Sequence, residues 1–148
     1  SEIYIAVGDS FLRKKIVFEE LTNKFDYPNL IHPKTIISNW VKLSDGIIIC
    51  AGTIITVDVK IGRFAQLNLN TTIGHDCVIG DFFTTAPGVH ISGNCLIGHN
   101  VYVGSGAVIK QGISICDNVI IGMGAVVTKD ITEPGTYVGS PARKLEKR

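Results

Sequence analysis

His75, followed directly by Asp76, is the pair with the clearest chemical potential in this 148-residue chain. It stands at the centre of Ile73-Gly74-His75-Asp76-Cys77-Val78-Ile79-Gly80. An imidazole titrates near neutrality, and a neighbouring carboxylate raises its basicity. His75 is therefore a candidate general base and Asp76 its activator. The other histidines carry weaker signals. His32, in Ile-His-Pro, reads as a structural residue where the repeats begin, and His90 and His99 read as surface or interface residues. Cys50, Cys77, Cys95 and Cys116 form no C-x-x-C pair and no zinc-finger spacing. Reduced thiols in a cytoplasmic protein, with no metal, are the expectation.

The elements that must hold His75 are legible as a repeat. From Ile31 to Thr132 the chain divides without a gap into hexads, and the first position is Ile, Leu or Val in 16 of 17, with Thr85 the exception. The fifth position is small or β-branched throughout, apart from Phe83. Such residues suit the inside of a narrow coil of strands. Glycine recurs at the second position (Gly62, Gly74, Gly80, Gly98, Gly104, Gly122), where a sharp corner is expected. A period of six cannot keep one face of a 3.6-residue helix buried. Short strands turning a corner every six residues can. Three hexads close a triangular coil of 18 residues, so the repeats make between five and six coils. Cys77 and Cys95, 18 residues apart, should then stack inward as packing thiols.

The same period aligns residues along each outer edge. Every third hexad places Asn39, Val57, His75, Gly93, Gln111 and Lys129 on one edge. His75 is one coil from Gly93 and three from Lys129, roughly 14 Å along the axis. A long ligand lying along that edge would reach from His75 to the Lys129 cation. Gly93 would leave room beside His75 and offer backbone N–H groups to a developing negative charge.

The ends depart from the hexads. Ile3–Val7 reads as a strand, and Gly8-Asp9-Ser10 as a turn with a helix N-cap. Residues 11–24 read as a helix with Leu12, Ile16 and Leu21 inward and Arg13, Lys14, Lys15, Glu19 and Glu20 outward. This is about one β-α-β step, without a Gly-rich nucleotide-binding turn. At the other end the chain is expected to leave the coil at Glu133-Pro134-Gly135. The formal charge of +1, from 14 basic and 13 acidic residues without a single-sign block, gives no reason to expect nucleic acid or an anionic membrane as partner. No apolar run approaches 18 residues, and Ser1-Glu2-Ile3-Tyr4 does not read as a secretory signal.

The hexads resemble those of the hexapeptide-repeat acyltransferases, which form a left-handed parallel β-helix and usually assemble as homotrimers with sites between coils. Asn68-Leu69-Asn70-Thr71-Thr72-Ile73-Gly74-His75-Asp76-Cys77-Val78-Ile79-Gly80, with the upstream Gly8-Asp9 and Arg13-Lys14-Lys15-Ile16, is similar to the bacterial sugar acetyltransferases of glycan biosynthesis. That group includes N-acetyltransferases of nucleotide-linked 4-amino sugars and the sialic acid O-acetyltransferase type. The resemblance implies an all-β fold with residues 1–30 as a partial Rossmann-like nucleotide-sugar-binding segment. The acetyltransferase coil would be 31–132 and a capping tail 133–148. It implies His75 as base, Asp76 as activator and Asn68 as a polar neighbour. Acetyl-CoA would lie along Thr84, Ser105 and Met123, with a pantetheine arm on the His75 edge setting its thioester near His75 and Gly93 and its phosphates toward Lys129. Gly8 would touch the nucleotide sugar. Val138-Gly139-Ser140-Pro141-Ala142-Arg143 resembles the family's terminal loop, either a cap or a wall for the coenzyme nucleotide.

Two departures accompany the resemblance. Thr84 stands where many relatives carry a second histidine, and relatives hold the nucleotide with a larger N-terminal portion. The expected activity is acetyl transfer from acetyl-CoA to the amino group of a nucleotide-linked sugar. The alternatives are transfer to a sugar or serine hydroxyl, or a non-catalytic scaffold. A zinc carbonic anhydrase on the same coil would need histidines five residues apart, whereas His75, His90 and His99 are separated by 15 and 9.

Overall fold

The computed structural model describes residues 1–20 and 25–146. From Leu30 onward the chain winds as a three-sided coil of short parallel strands, most of them two residues long. Leu30 pairs with Ile48, Ile36 with Ile54 and Lys42 with Lys60, a shift of 18 residues on each side. Eight strands form face I, six face II and five face III. The result is a left-handed parallel β-helix of about six turns.

The hexad columns become the core. First-position aliphatics such as Ile55, Ile73, Ile91 and Ile109 stack inside face II, and the small fifth-position residues fill the space at the corners. Cys77 and Cys95 are buried and unbridged, as the period requires. Contact with the Cys95 sulfur, and then burial, push the Cys77 thiol well above its ordinary value. It stays protonated and donates weakly to the Ser92 carbonyl.

The corners differ from the sequence expectation. The left-handed backbone falls at the fourth hexad position, at Asp58, Phe64, Asn70, Asp76, Phe82, Asn94, Asn100, Asn118 and at several glycines. Asn, Asp and Gly tolerate that conformation. The second-position glycines serve a different need, because successive coils approach closely there. A Cβ on Gly74 would lie 2.5 Å from the Gly93 nitrogen, and one on Gly104 2.5 Å from the Met123 nitrogen.

The final turn is two residues short. Ile131 pairs with Ile115 and Val119 with Gly135, a shift of 16. A four-residue strand, Gly135–Val138, thus still belongs to face I, beyond the point where the sequence suggested the coil ends. Arg143–Lys144 folds back antiparallel on it and closes the end of the coil.

The N-terminal segment is less regular than the sequence implied. Glu2 makes one parallel bridge to Asp26 and Ile3–Val7 forms no strand, because no further strand among the described residues flanks it. Helix α1 (Ser10–Lys15) starts at Asp9, whose side chain accepts from the Leu12 N–H at 3.0 Å. It continues into a wider turn, Ile16–Glu20. The expected helix extends over 21–24, and its inward Leu21 lies outside the described residues. The helix faces are also rotated. Arg13, expected outside, is 0% exposed, while Leu12 is exposed.

Candidate active site

His75 is fixed by its backbone from both sides. Its carbonyl accepts from the Asn94 N–H of the next coil at 2.7 Å, and the Asp76 N–H donates to the Val57 carbonyl of the previous one at 3.0 Å. Asp76 takes the left-handed corner position with φ 57°. The turn brings its carboxylate back onto the imidazole, with His75 Nδ1 2.8 Å from Asp76 Oδ2. An ionised carboxylate only accepts, so the neutral ring carries its proton on Nδ1 and leaves Nε2 with a lone pair. Both side chains are half exposed. That is the arrangement a general base needs.

Gly93 lies directly beneath this ring. A Cβ there would stand 2.5 Å from His75 Nε2. Gly93 is buried, and the space above it is filled by the imidazole. Lys129 is exposed further along the same edge, at the shortened last corner.

Other sequence candidates gather elsewhere. A cleft of about 480 Å³ on face I is lined by Gly8, Phe11, Gln66, Asn68, Thr84 and Tyr102, among others. Ser105 and Met123 lie along the corner between faces I and II, in register with Leu69 beside Asn68. Met123 is 82% exposed. His75, Asp76, Gly93 and Lys129 occupy the corner between faces II and III. Within one chain the two groups are therefore held on adjacent corners, with the strands of face II between them.

Thr84 is engaged inside the chain. Its hydroxyl accepts from Arg13 Nη2 at 2.6 Å and donates to the Phe82 carbonyl. Arg13 also donates to the carbonyls of Phe64, Val7, Gly8 and Phe82, which accounts for its whole guanidinium. Burial lowers its pKa to about 10, so it remains charged at neutral pH. Sequence reasoning missed Arg13, because a cation on an amphipathic segment normally faces water. The stacked Phe64 and Phe82 rings, 5.4 Å apart, complete the dock between α1 and the coil.

The remaining histidines serve the coil. His32 Nδ1 accepts from the Lys34 N–H, and His99 Nδ1 from the Asp81 N–H. His90 Nδ1 pairs with the Thr72 hydroxyl. Among the described residues no cluster of three or more His, Cys, Asp or Glu could hold a metal. No helix among them is long and apolar enough to cross a membrane.

Known proteins share this architecture. The family described as bacterial transferase hexapeptide (six repeats) matches residues 76–111 and 94–129. No curated protein sequence matches the chain. Among solved structures, a variant of perosamine N-acetyltransferase from Caulobacter crescentus, in complex with CoA and GDP-perosamine, is 30% identical with a TM-score of 0.96. The match covers 99% of this chain and 70% of that one. The acetyltransferase domain of PglB from Neisseria gonorrhoeae FA1090 is 31% identical over 97% of this chain and 70% of that one, with a TM-score of 0.93. WeeI from Acinetobacter baumannii AYE is 38% identical over the same shares, also with a TM-score of 0.93. By its repeats, its coil and these relatives, the chain belongs to the bacterial transferase hexapeptide family, in its sugar acetyltransferase group.

Proposed function

We propose that this protein transfers an acetyl group from acetyl-CoA to the amino group of a nucleotide-linked amino sugar, with His75 as general base. The observation that carries the reading is the 2.8 Å contact between His75 Nδ1 and Asp76, which leaves Nε2 free at an exposed corner. Relatives solved with CoA and GDP-perosamine supply the substrate class. Bound acetyl-CoA contributes an activated thioester, and the CoA thiol is the leaving group. Nε2 takes a proton from the acceptor nitrogen as its bond to the acetyl carbon forms. Asp76 holds the Nδ1 proton and balances the charge that the ring acquires. Gly93, having no Cβ, leaves room for the ring against the next coil.

The two separated groups of residues support a site shared between chains. In a homotrimer, the His75–Lys129 corner of one chain would face the Asn68, Ser105 and Met123 corner of its neighbour. The acyl donor would run between them, its phosphates toward Lys129, and the sugar would meet the cleft beside Gly8. With Thr84 held by Arg13, donor binding falls to the exposed corner residues. The free thiols fit a cytoplasmic enzyme.

Incubation with acetyl-CoA and GDP-perosamine, followed by mass spectrometry of the sugar, tests the reading. An N-acetylated product and stoichiometric free CoA are expected. A panel of nucleotide-linked amino sugars that all remain unmodified would refute it.

A further inference from the structure

Thr85 breaks the aliphatic column, and its buried hydroxyl has a specific use. It is 2% exposed. Its Oγ1 accepts from the Asn68 N–H at 3.0 Å and lies 2.7 Å from Thr71 Oγ1. Thr71 Oγ1 in turn donates to the Asn68 carbonyl at 2.9 Å. A carbonyl only accepts, so the single Thr71 proton is committed there, and Thr85 must donate to Thr71. The bonds close a ring that begins and ends on the backbone of Asn68. Thr53, also buried, adds a second hydroxyl to the same carbonyl at 3.1 Å.

The ring alters the coil at this point. At the other second positions from His32 to Gly122 the N–H bonds to a backbone carbonyl of the next coil, as Cys50 does with Leu67 and Gly74 with Ile91. At Asn68 that bond goes to a side chain. The strand pair carrying it registers only Thr84 with Gln66, whereas every other described pair registers two residues or more. Meanwhile Asn68 Oδ1 accepts from the Leu69 N–H. This fixes the amide plane of a residue that lines the cleft.

We infer that Thr85, with Thr71 and Thr53, forms a buried hydroxyl clamp that positions Asn68 for the transfer reaction. The inference rests on the proposed function, in which Asn68 stands on the corner that faces the acyl donor and the neighbouring chain's His75. An aliphatic residue at 85 would complete the hydrophobic column, so the hydroxyl serves the corner rather than the core.

The test compares Thr85→Val, Thr85→Ser and Asn68→Ala in the full chain, with acetyl-CoA and GDP-perosamine as probes. In Thr85→Val the ring opens, and the Asn68 N–H is drawn toward the carbonyl of residue 85. A crystal structure should show that shift. Turnover should fall about tenfold to a hundredfold, the scale of a misplaced group. KM for acetyl-CoA and the melting temperature should stay close to wild type, and Thr85→Ser should recover most of the turnover. An unmoved Asn68, wild-type turnover in Thr85→Val, or a Thr85→Ser as slow as Thr85→Val would overturn the inference. Should Thr85→Val fail to fold, Thr71→Val opens the same ring and is read the same way. Wild-type turnover in Asn68→Ala would instead remove the role of Asn68 itself. A slow Asn68→Ala beside a fully active Thr85→Val would sink the clamp alone.

Discussion

At the residue scale the proposed chemistry depends on the imidazole of His75 and the two residues that hold it. Asp76 anchors Nδ1 because a short acidic side chain at a left-handed corner can turn back on its predecessor. Gly93 is needed because any Cβ would enter the ring. Gly93→Ala should therefore displace the base, lowering kcat by about tenfold to a hundredfold while leaving the coil's melting temperature nearly unchanged. Steady-state kinetics beside a thermal melt would check this, and unchanged kcat would contradict it. The His75–Asp76 pair was readable from sequence, since an adjacent acid and a fixed period were enough to single it out. The place of Gly93 was readable as an alignment, but its use was not. A period gives the order of residues on an edge without saying which side chain covers which.

At the element scale the hexads predicted the coil well, because each six-residue unit repeats the same physical demand. What they concealed was which position makes the corner. Glycine at the second position looked like a turn residue, yet the left-handed conformation belongs to the fourth position, where Asn, Asp and even two phenylalanines stand. At Asp58, an exposed corner with φ 54°, substitution by Val should cost about 1–2 kcal/mol and substitution by Gly far less. Chemical denaturation would measure both, and equal costs would refute the argument. Helix α1 was misread because its anchor is a buried cation rather than an apolar stripe. Arg13→Met should leave carbonyls of the dock without donors, at about 1–3 kcal/mol each. Hydrogen exchange should then quicken across residues 1–20 while amides in the coil stay protected. Loss of protection through the coil as well would show that the two parts unfold as one.

At the scale of the whole molecule the candidate residues stand on two adjacent corners of the coil, which face II keeps apart within a single chain. The separation of His75 from Asn68 by the strands of face II favours the proposed arrangement, a site completed by a neighbouring chain. A mixture of His75→Ala and Asn68→Ala chains, co-expressed at equal levels, should recover about a quarter of wild-type activity, because random assembly reunites both wild-type residues in that share of interfaces. If the mixture is as inactive as its parents, both residues serve from one chain. Sequence could suggest an oligomer only through resemblance, since no hexad reports which face meets a partner. His75 is proposed to remove a proton in acetyl transfer, and the most direct measurement is kcat of His75→Ala with acetyl-CoA binding followed by calorimetry on the same protein. That role predicts a fall in kcat of about a hundredfold to ten-thousandfold with acetyl-CoA affinity and assembly retained. Turnover near the wild-type rate in that variant would contradict it.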